Sequence, residues 1–277
     1  MTLVDTKAGA NKKYARSLAR AFGGAVIFSL PLLMTMEMWS LGFTVEPWRL
    51  LQFVALNFLV LTGLARVSGF EPTTGWGDAV LDAFSAFGIA VAATFCVLAL
   101  IGVIRPEMTL GEVAGKVAIQ SVPASFGAMI ASSQLGGRDE AAVEGKRDTY
   151  GGELFLMLAG ALFLSFNIAP TEEILLIALQ MSPGQEIVLI LLSIILLHAF
   201  VYGVGFRGEH QPPEATGFFA VFVRFSIVGY AIAVLVSLYV LWTFGRTESG
   251  SVPQIASLVA VLAFPGAIGA AIARLVV

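Results

Sequence analysis

Residues 24–42 read GAVIFSLPLLMTMEMWSLG, and residues 160–178 read GALFLSFNIAPTEEILLIA. Both stretches are apolar, both contain a glutamate, and they align at an offset of 136 residues. The identical pairs are Gly24/Gly160, Ala25/Ala161, Ser29/Ser165, Thr35/Thr171 and Glu37/Glu173. Because a carboxylate within a membrane span is expensive, each glutamate is predicted to be functional. A duplicated glutamate indicates a two-fold site to which both halves of the chain contribute.

The composition indicates a membrane protein. Its mean hydropathy is +0.87, and 13% of its residues are charged, whereas about 25% is usual in soluble domains. A net charge of −3 gives no indication of nucleic acid as a partner. The single cysteine excludes a disulfide framework within the chain. The predicted fold class is therefore all-α and polytopic, with the lipid bilayer as the surroundings.

Apolar runs long enough to cross a bilayer as a helix recur eight times along the chain. The predicted spans are 22–43, 49–66, 79–104, 114–133, 152–181, 186–206, 218–243 and 252–274. The fourth run is the least apolar, and taken alone it is also compatible with an interfacial or re-entrant helix.

A second repeated stretch favours a full span for that fourth run. Residues 117–131 and 259–273 align at an offset of 142 and are identical at seven of fifteen positions, and self-similarity of this kind is the signature of duplication. Four spans in each half predict two parallel four-helix repeats, related by a pseudo-two-fold axis along the membrane normal. A re-entrant fourth segment would instead make the repeats inverted.

The same patterns predict the domain organisation and the orientation. The segments are a cytoplasmic basic N-terminus (1–20), a first four-helix repeat (21–134), a polar linker (135–150) and a second four-helix repeat (151–277). With eight spans, eleven basic residues fall on the side of the termini. Four fall on the other side, namely Arg49, Arg105, Lys116 and Arg246. Since basic residues favour the cytoplasm, both termini are predicted to be cytoplasmic.

Proline and oxygen-bearing side chains near the glutamates predict a broken helix. Pro31 and Pro170 each remove a helical hydrogen bond, and irregular backbone at membrane depth is tolerated where it is packed in protein or lines a wet cavity. Carboxylate, carbonyl and hydroxyl oxygens are the ligands that hard cations prefer. The predicted ion pathway comprises Glu37, Glu173, Glu172, Thr35, Thr171, Ser29, Ser165 and Asn167, with Glu37 and Glu173 as metal ligands.

Other interpretations of these residues stay open at this stage. Each glutamate could instead lie at the outer end of its span and reach water, and the repeat aligns Pro31 with Asn167 rather than with Pro170. His198 lies in the sixth predicted span. It is interpreted either as a gating or proton-relay residue or as a hydrogen-bonded core histidine.

Residues 166–173 (FNIAPTEE), the Ser-Leu-Pro and Met-Glu stretch at 29–37 and the basic N-terminus resemble a family of bacterial integral membrane proteins of unknown function. The resemblance covers nearly the whole chain. It implies a location in the bacterial cytoplasmic membrane, and it implies no activity.

Residues 169–175 (APTEEIL) are also similar to the first motif of CAAX-protease-like membrane hydrolases, in which paired glutamates are followed by three further residues and then by Arg. In this chain the Arg position is Ile177, and His198 is the only histidine within a predicted span. The resemblance implies a hydrolase that would use Glu172, Glu173 and His198. The missing Arg and the missing second histidine argue against catalysis.

The leading hypothesis is therefore a cation channel or transporter whose path is lined by Glu37 and Glu173, with a divalent cation or a proton as the ion. One alternative is the glutamate-dependent hydrolase, and another is a non-catalytic scaffold or sensor. No cofactor is predicted apart from a bound divalent cation, and no nucleic acid is expected. The sequence leaves open whether the chain forms a homo-oligomer.

Overall fold

The computed structural model describes residues 3–68, 75–135, 149–202, 219, 222–248 and 250–276. Those residues form helices joined by short connections, and they contain no strand. The chain divides into two compact units, Met1–Val143 and Glu144–Val277. The prediction of an all-α fold is confirmed, while most of the predicted linker lies outside the described residues.

Each unit contains one short helix that follows its first long helix. The first unit consists of α1 (Leu3–Leu33), α2 (Met36–Thr44), α3 (Pro47–Ser68), α4 (Trp76–Leu100) and α5 (Leu110–Leu135). The second unit consists of α6 (Tyr150–Ile168), α7 (Glu172–Gln180), α8 (Pro183–Tyr202), a π-helical turn (Phe222–Ile227), α9 (Val228–Thr243) and α10 (Val252–Val276).

Eight helical segments of the described residues are long and apolar enough to cross a membrane, which confirms the predicted number of spans. The disputed fourth span is one of them, at Leu110–Ala131. The predicted continuous spans 22–43 and 152–181 are wrong, because both are interrupted. The helices after the interruptions, α2 and α7, have 9 residues each, which is only about 14 Å of rise.

In the first unit, α5 is the central helix and packs against the other four. Gly24 of α1 lies directly against α5: a Cβ there would lie 2.5 Å from the carbonyl oxygen of Gly127 and would overlap the side chain of Ala131. Gly42 and Gly115 make a similar approach between α2 and α5. Small residues therefore let these backbones come close, as is common between helices in membranes.

Polar side chains of α5 explain why this span is the least apolar. Within Leu110–Ala131, the most apolar window of 18 residues is 78% buried, which is the largest share among the eight segments. Lys116 and Gln120 are buried there, and Ser125 meets Asn57 of α3, whose amide donates to the Ser125 hydroxyl at 3.1 Å. Because the unit encloses these groups, the helix needs less apolar surface than its neighbours.

In the second unit, α10 occupies the corresponding place and packs against α6, α7, α8 and α9. A Cβ on Gly160 would overlap the carbonyl oxygen of Gly269 and lie 2.5 Å from the Ala273 side chain. These residues correspond to Gly24, Gly127 and Ala131 at the offsets of 136 and 142 residues found in the sequence. Equivalent glycines thus make equivalent helix contacts in the two units.

Candidate functional site at the two helix breaks

The first unit breaks its first long helix immediately before Glu37. Helix α1 ends at Leu33, and Thr35 takes an extended conformation (φ −101°, ψ 133°) as the N-cap of α2. The Thr35 amide and hydroxyl both donate to the carbonyl oxygen of Leu32, at 3.1 and 3.0 Å. The threonine therefore satisfies a carbonyl at the end of α1 while the chain turns, and Glu37 lies in the first turn of α2.

The second unit repeats this arrangement. Helix α6 ends at Ile168, and Thr171 is the extended N-cap of α7 (φ −74°, ψ 147°). The Thr171 amide and hydroxyl donate to the Ile168 carbonyl oxygen at 3.0 and 2.9 Å. Glu172 and Glu173 occupy the first turn of α7.

Only one of the two prolines lies at a break. Pro170 is in the interruption between α6 and α7, as predicted, but Pro31 lies inside α1, which continues to Leu33. The predicted break at Pro31 is therefore displaced by about one turn. In both units the break lies at the threonine, and the short helix begins at the next residue. A Thr with acidic residues in the next turn is an N-terminal helix signal, and it locates the breaks better than the prolines do.

The glutamates lie where a helix N-terminus favours negative charge. The first-turn N–H groups and the helix dipole stabilise a carboxylate there. The presence of a glutamate at these positions is therefore explained without an ionised side chain buried in the membrane. Glu37 is half-buried, whereas Glu172 and Glu173 are exposed on the chain. All three lie beyond the span-length segments Ala15–Leu33 and Tyr150–Ile168, which favours the interpretation that they lie at the ends of spans.

The other predicted ligands are divided between the breaks and the helix interiors. Ser29 is fully buried and donates to the Ala25 carbonyl oxygen at 2.5 Å. Asn167 donates to the Phe163 carbonyl oxygen at 2.6 Å. Ser165 is fully buried and makes no hydrogen bond within the described residues. The structure therefore brings the two threonines to the breaks and leaves both serines inside the helix packing.

Arg246 is the functional candidate that the sequence interpretation missed. Its Nη2 donates to the carbonyl oxygen of Pro170 at 2.8 Å and to Oε1 of Glu172 at 2.8 Å. The contact joins residues more than 70 positions apart, so no local pattern predicts it. The charge distribution held a weak signal, because Arg246 is one of the four basic residues assigned to the side of the glutamates.

The first unit stabilises its break with a tryptophan. Trp39 of α2 donates its indole N–H to the Leu33 carbonyl oxygen at 2.8 Å. The equivalent position of the second unit is Leu175, which has no polar group. Each break therefore has a carbonyl held by a side chain, neutral in the first unit and cationic in the second.

We expect Trp39→Phe to lower the free energy of unfolding by about 1–2 kcal/mol, because the buried Leu33 carbonyl loses its donor while an aromatic ring is kept. Trp48→Phe is the control, since the Trp48 indole bonds the exposed carboxylate of Glu46. Thermal melting in detergent micelles would show a clear shift for Trp39 and little for Trp48. Equal melting temperatures of the two variants would contradict a role for Trp39 at the break.

His198 lies far from the glutamates of its own unit. Its Nδ1 is 2.8 Å from the hydroxyl of Ser226 in the π-helical turn, and its ring meets Phe222 edge-on with centroids 5.2 Å apart. Arg246, which holds Glu172, follows the opposite end of α9, about 25–30 Å away at helical rise. The structure therefore does not assemble the hydrolase set of Glu172, Glu173 and His198.

Among the described residues, no three His, Cys, Asp or Glu side chains are grouped to hold a metal ion.

The family comparison decides the class of the protein. The family model described as "Putative integral membrane protein (DUF2391)" matches residues 17–277. The chain belongs to this family. The match confirms the resemblance to a membrane family of unknown function and identifies an integral membrane protein with several spanning helices. No curated protein and no solved structure matches the chain.

The family match shows that this DUF2391 member is an integral membrane protein. The structure shows the local geometry of its helix breaks. Each unit has a broken helix, a threonine at the N-cap position of the next helix, and a glutamate in the turn that follows. These features define the candidate site at the level of the single unit.

Proposed function

We propose that the protein moves a cation across the membrane, as a channel or a transporter, and that Glu37 and Glu173 are the carboxylates that the ion meets. The observation that carries the proposal is the repeated helix break. In each unit a long span ends, a threonine occupies the N-cap position of a 9-residue helix, and a glutamate follows two residues after the threonine. Discontinuous helices of this kind form the ion and substrate sites of many transporters.

The equivalence of the breaks supports descent from a duplicated four-span unit. The first and last residues of α2, Met36 and Thr44, correspond to Glu172 and Gln180 of α7 at an offset of 136. The following helices then begin at Pro47 and Pro183, which differ by the same offset. A conserved length of break and short helix in both units supports a common task for the two glutamates.

The chemistry of the break supports a cation. Each break offers a carboxylate, and Thr35 or Thr171 offers a hydroxyl oxygen that can accept a cation even while its proton is donated. Such hard oxygen ligands suit divalent cations, and acidic side chains at a path also select cations over anions. A proton is the other candidate, because a carboxylate can carry it directly.

The predicted orientation belongs to the same proposal. Because basic residues favour the cytoplasmic side, the termini are proposed to be cytoplasmic in a bacterial cytoplasmic membrane. The breaks, which follow the first and fifth spans, would then face outward. The lipid bilayer and the transported cation are the proposed partners.

The test is ion flux into proteoliposomes that contain the purified chain. Ca²⁺, Mn²⁺, K⁺ and H⁺ indicators would be used in parallel on the unmodified protein and on Glu173→Gln. Flux of one cation that is lost in the variant would support the proposal. Absence of flux for every cation in well-folded protein would contradict it.

A further inference from the structure

Arg246 forms a bridge between the end of α9 and the second helix break. One nitrogen, Nη2, contacts both the Pro170 carbonyl oxygen and the Glu172 carboxylate at 2.8 Å. The Arg246 side chain is 22% exposed, whereas that of Glu172 is 54% exposed. The cation is thus largely enclosed while its carboxylate partner remains accessible.

The turn that presents Arg246 is common to both units. Gly245 has a φ of +73°, and the Arg246 amide donates to the Leu241 carbonyl oxygen at 2.9 Å. In the first unit Gly102 has a φ of +74°, and the amide of the next residue, Val103, makes the corresponding bond. A positive φ favours glycine at this position, so the turn is a shared scaffold.

The charges placed on this scaffold are specific to the second unit. Val103 stands at the position of Arg246, and Met36 stands at the position of Glu172. The first unit therefore has one glutamate at its break, and the second has two glutamates and one arginine. Once Arg246 is paired with Glu172, both breaks carry one net negative charge.

We propose that Arg246 is a positioning residue that neutralises Glu172 and leaves Glu173 as the acting carboxylate of the second break. This inference rests on the proposed function. The contact with the Pro170 carbonyl also fixes the first turn of α7 relative to the end of α9. The bridge thereby sets both the local charge and the direction in which Glu173 is presented.

The proposal predicts a gain of cation binding when the arginine is removed. In Arg246→Gln the carboxylate of Glu172 is no longer paired, and two adjacent glutamates then attract a divalent cation. We expect the Mn²⁺ concentration at half-saturation to fall roughly ten-fold, a value between those that one additional unit charge at about 10 Å gives in water and near a protein surface. The double variant Glu172→Gln with Arg246→Gln should return it to the value of the unmodified protein.

Mn²⁺ binding to the whole chain in detergent would be measured by electron paramagnetic resonance. Arg105→Gln is the matched control, because Arg105 is an exposed arginine in the loop that follows the equivalent turn of the first unit. Melting temperatures of Arg246→Gln, of Glu172→Gln and of the double variant that combines them provide a structural readout. If the bridge stabilises the break, Arg246→Gln should melt about 2 °C below the unmodified protein. The double variant should then melt no lower than Arg246→Gln, because the contact is already lost.

The outcomes separate this inference from the proposed function. Unchanged Mn²⁺ binding in Arg246→Gln, together with additive shifts of the melting temperature, would overturn the role of Arg246 even if Glu173→Gln abolishes flux. Coupled melting shifts and the ten-fold gain of binding would support that role even if no cation crosses the membrane. Loss of the proposed function is judged by flux alone.

Discussion

Glu173→Gln should reduce cation flux into proteoliposomes by more than about ten-fold, which corresponds to about 1.4 kcal/mol in the barrier. Glutamine keeps the size of the side chain and removes the charge. Because Glu173 is exposed in the first turn of α7, the interaction of its carboxylate with the helix dipole stabilises the helix by no more than about 1 kcal/mol. The loss should therefore appear in the flux and leave the melting temperature close to that of the unmodified protein.

Two further variants make the flux measurement specific. Glu37→Gln should also reduce the flux, with a smaller loss, because Glu37 is half-buried and less accessible than Glu173. Glu107→Gln is the control, since Glu107 is an exposed glutamate of the loop between α4 and α5. Unaltered flux in both Glu37→Gln and Glu173→Gln would rule out the glutamate pathway. A lowered melting temperature with normal flux would favour a scaffold or sensor.

Gly24→Val should destabilise the first unit by about 1–3 kcal/mol or more, because the added side chain must displace the backbone of α5. The neighbouring residue provides the control: a Cβ on Gly23 would meet no atom within 4 Å. Thermal melting in micelles should show a large loss for Gly24→Val and a small change for Gly23→Val. Gly160→Val tests the equivalent contact in the second unit.

Indistinguishable melting curves for the Gly23 and Gly24 variants would contradict the close approach of α1 and α5. The comparison isolates packing, because both substitutions place the same side chain on the same helix. It is also independent of any transport activity.

The number of spans could be predicted because a span depends mainly on the hydropathy of its own residues, which the sequence shows directly. Even the polar fourth span was assigned, since residues 259–273 supplied an apolar relative for it. The break in α1 was misplaced because Pro31 is a strong local signal, and the chain completes another partial turn before Thr35 captures the Leu32 carbonyl. Competition between two local signals decided that position.

The rest of the candidate site depends on contacts between distant parts of the chain. The Arg246 bridge requires the turn at Gly245 to lie beside the break at Pro170, which spacing along the sequence does not reveal. The same holds for His198, whose partner Ser226 lies in a π-helical turn rather than near the glutamates. Residue types indicated a polar site, and tertiary packing determined which residues share it.

The enclosed position of α5 has a consequence for how the first unit enters the bilayer. Helix α5 carries Lys116 in its second turn and Gln120 with several serines further along, and such polar groups make the insertion of an isolated helix into a bilayer unfavourable. Because its neighbours surround these groups, the helix should be more stable in the membrane as part of the assembled unit than alone. Insertion of α5 should therefore be cooperative with insertion of its neighbours. Lipid surrounds the outer helices, and those helices surround the polar side chains of α5.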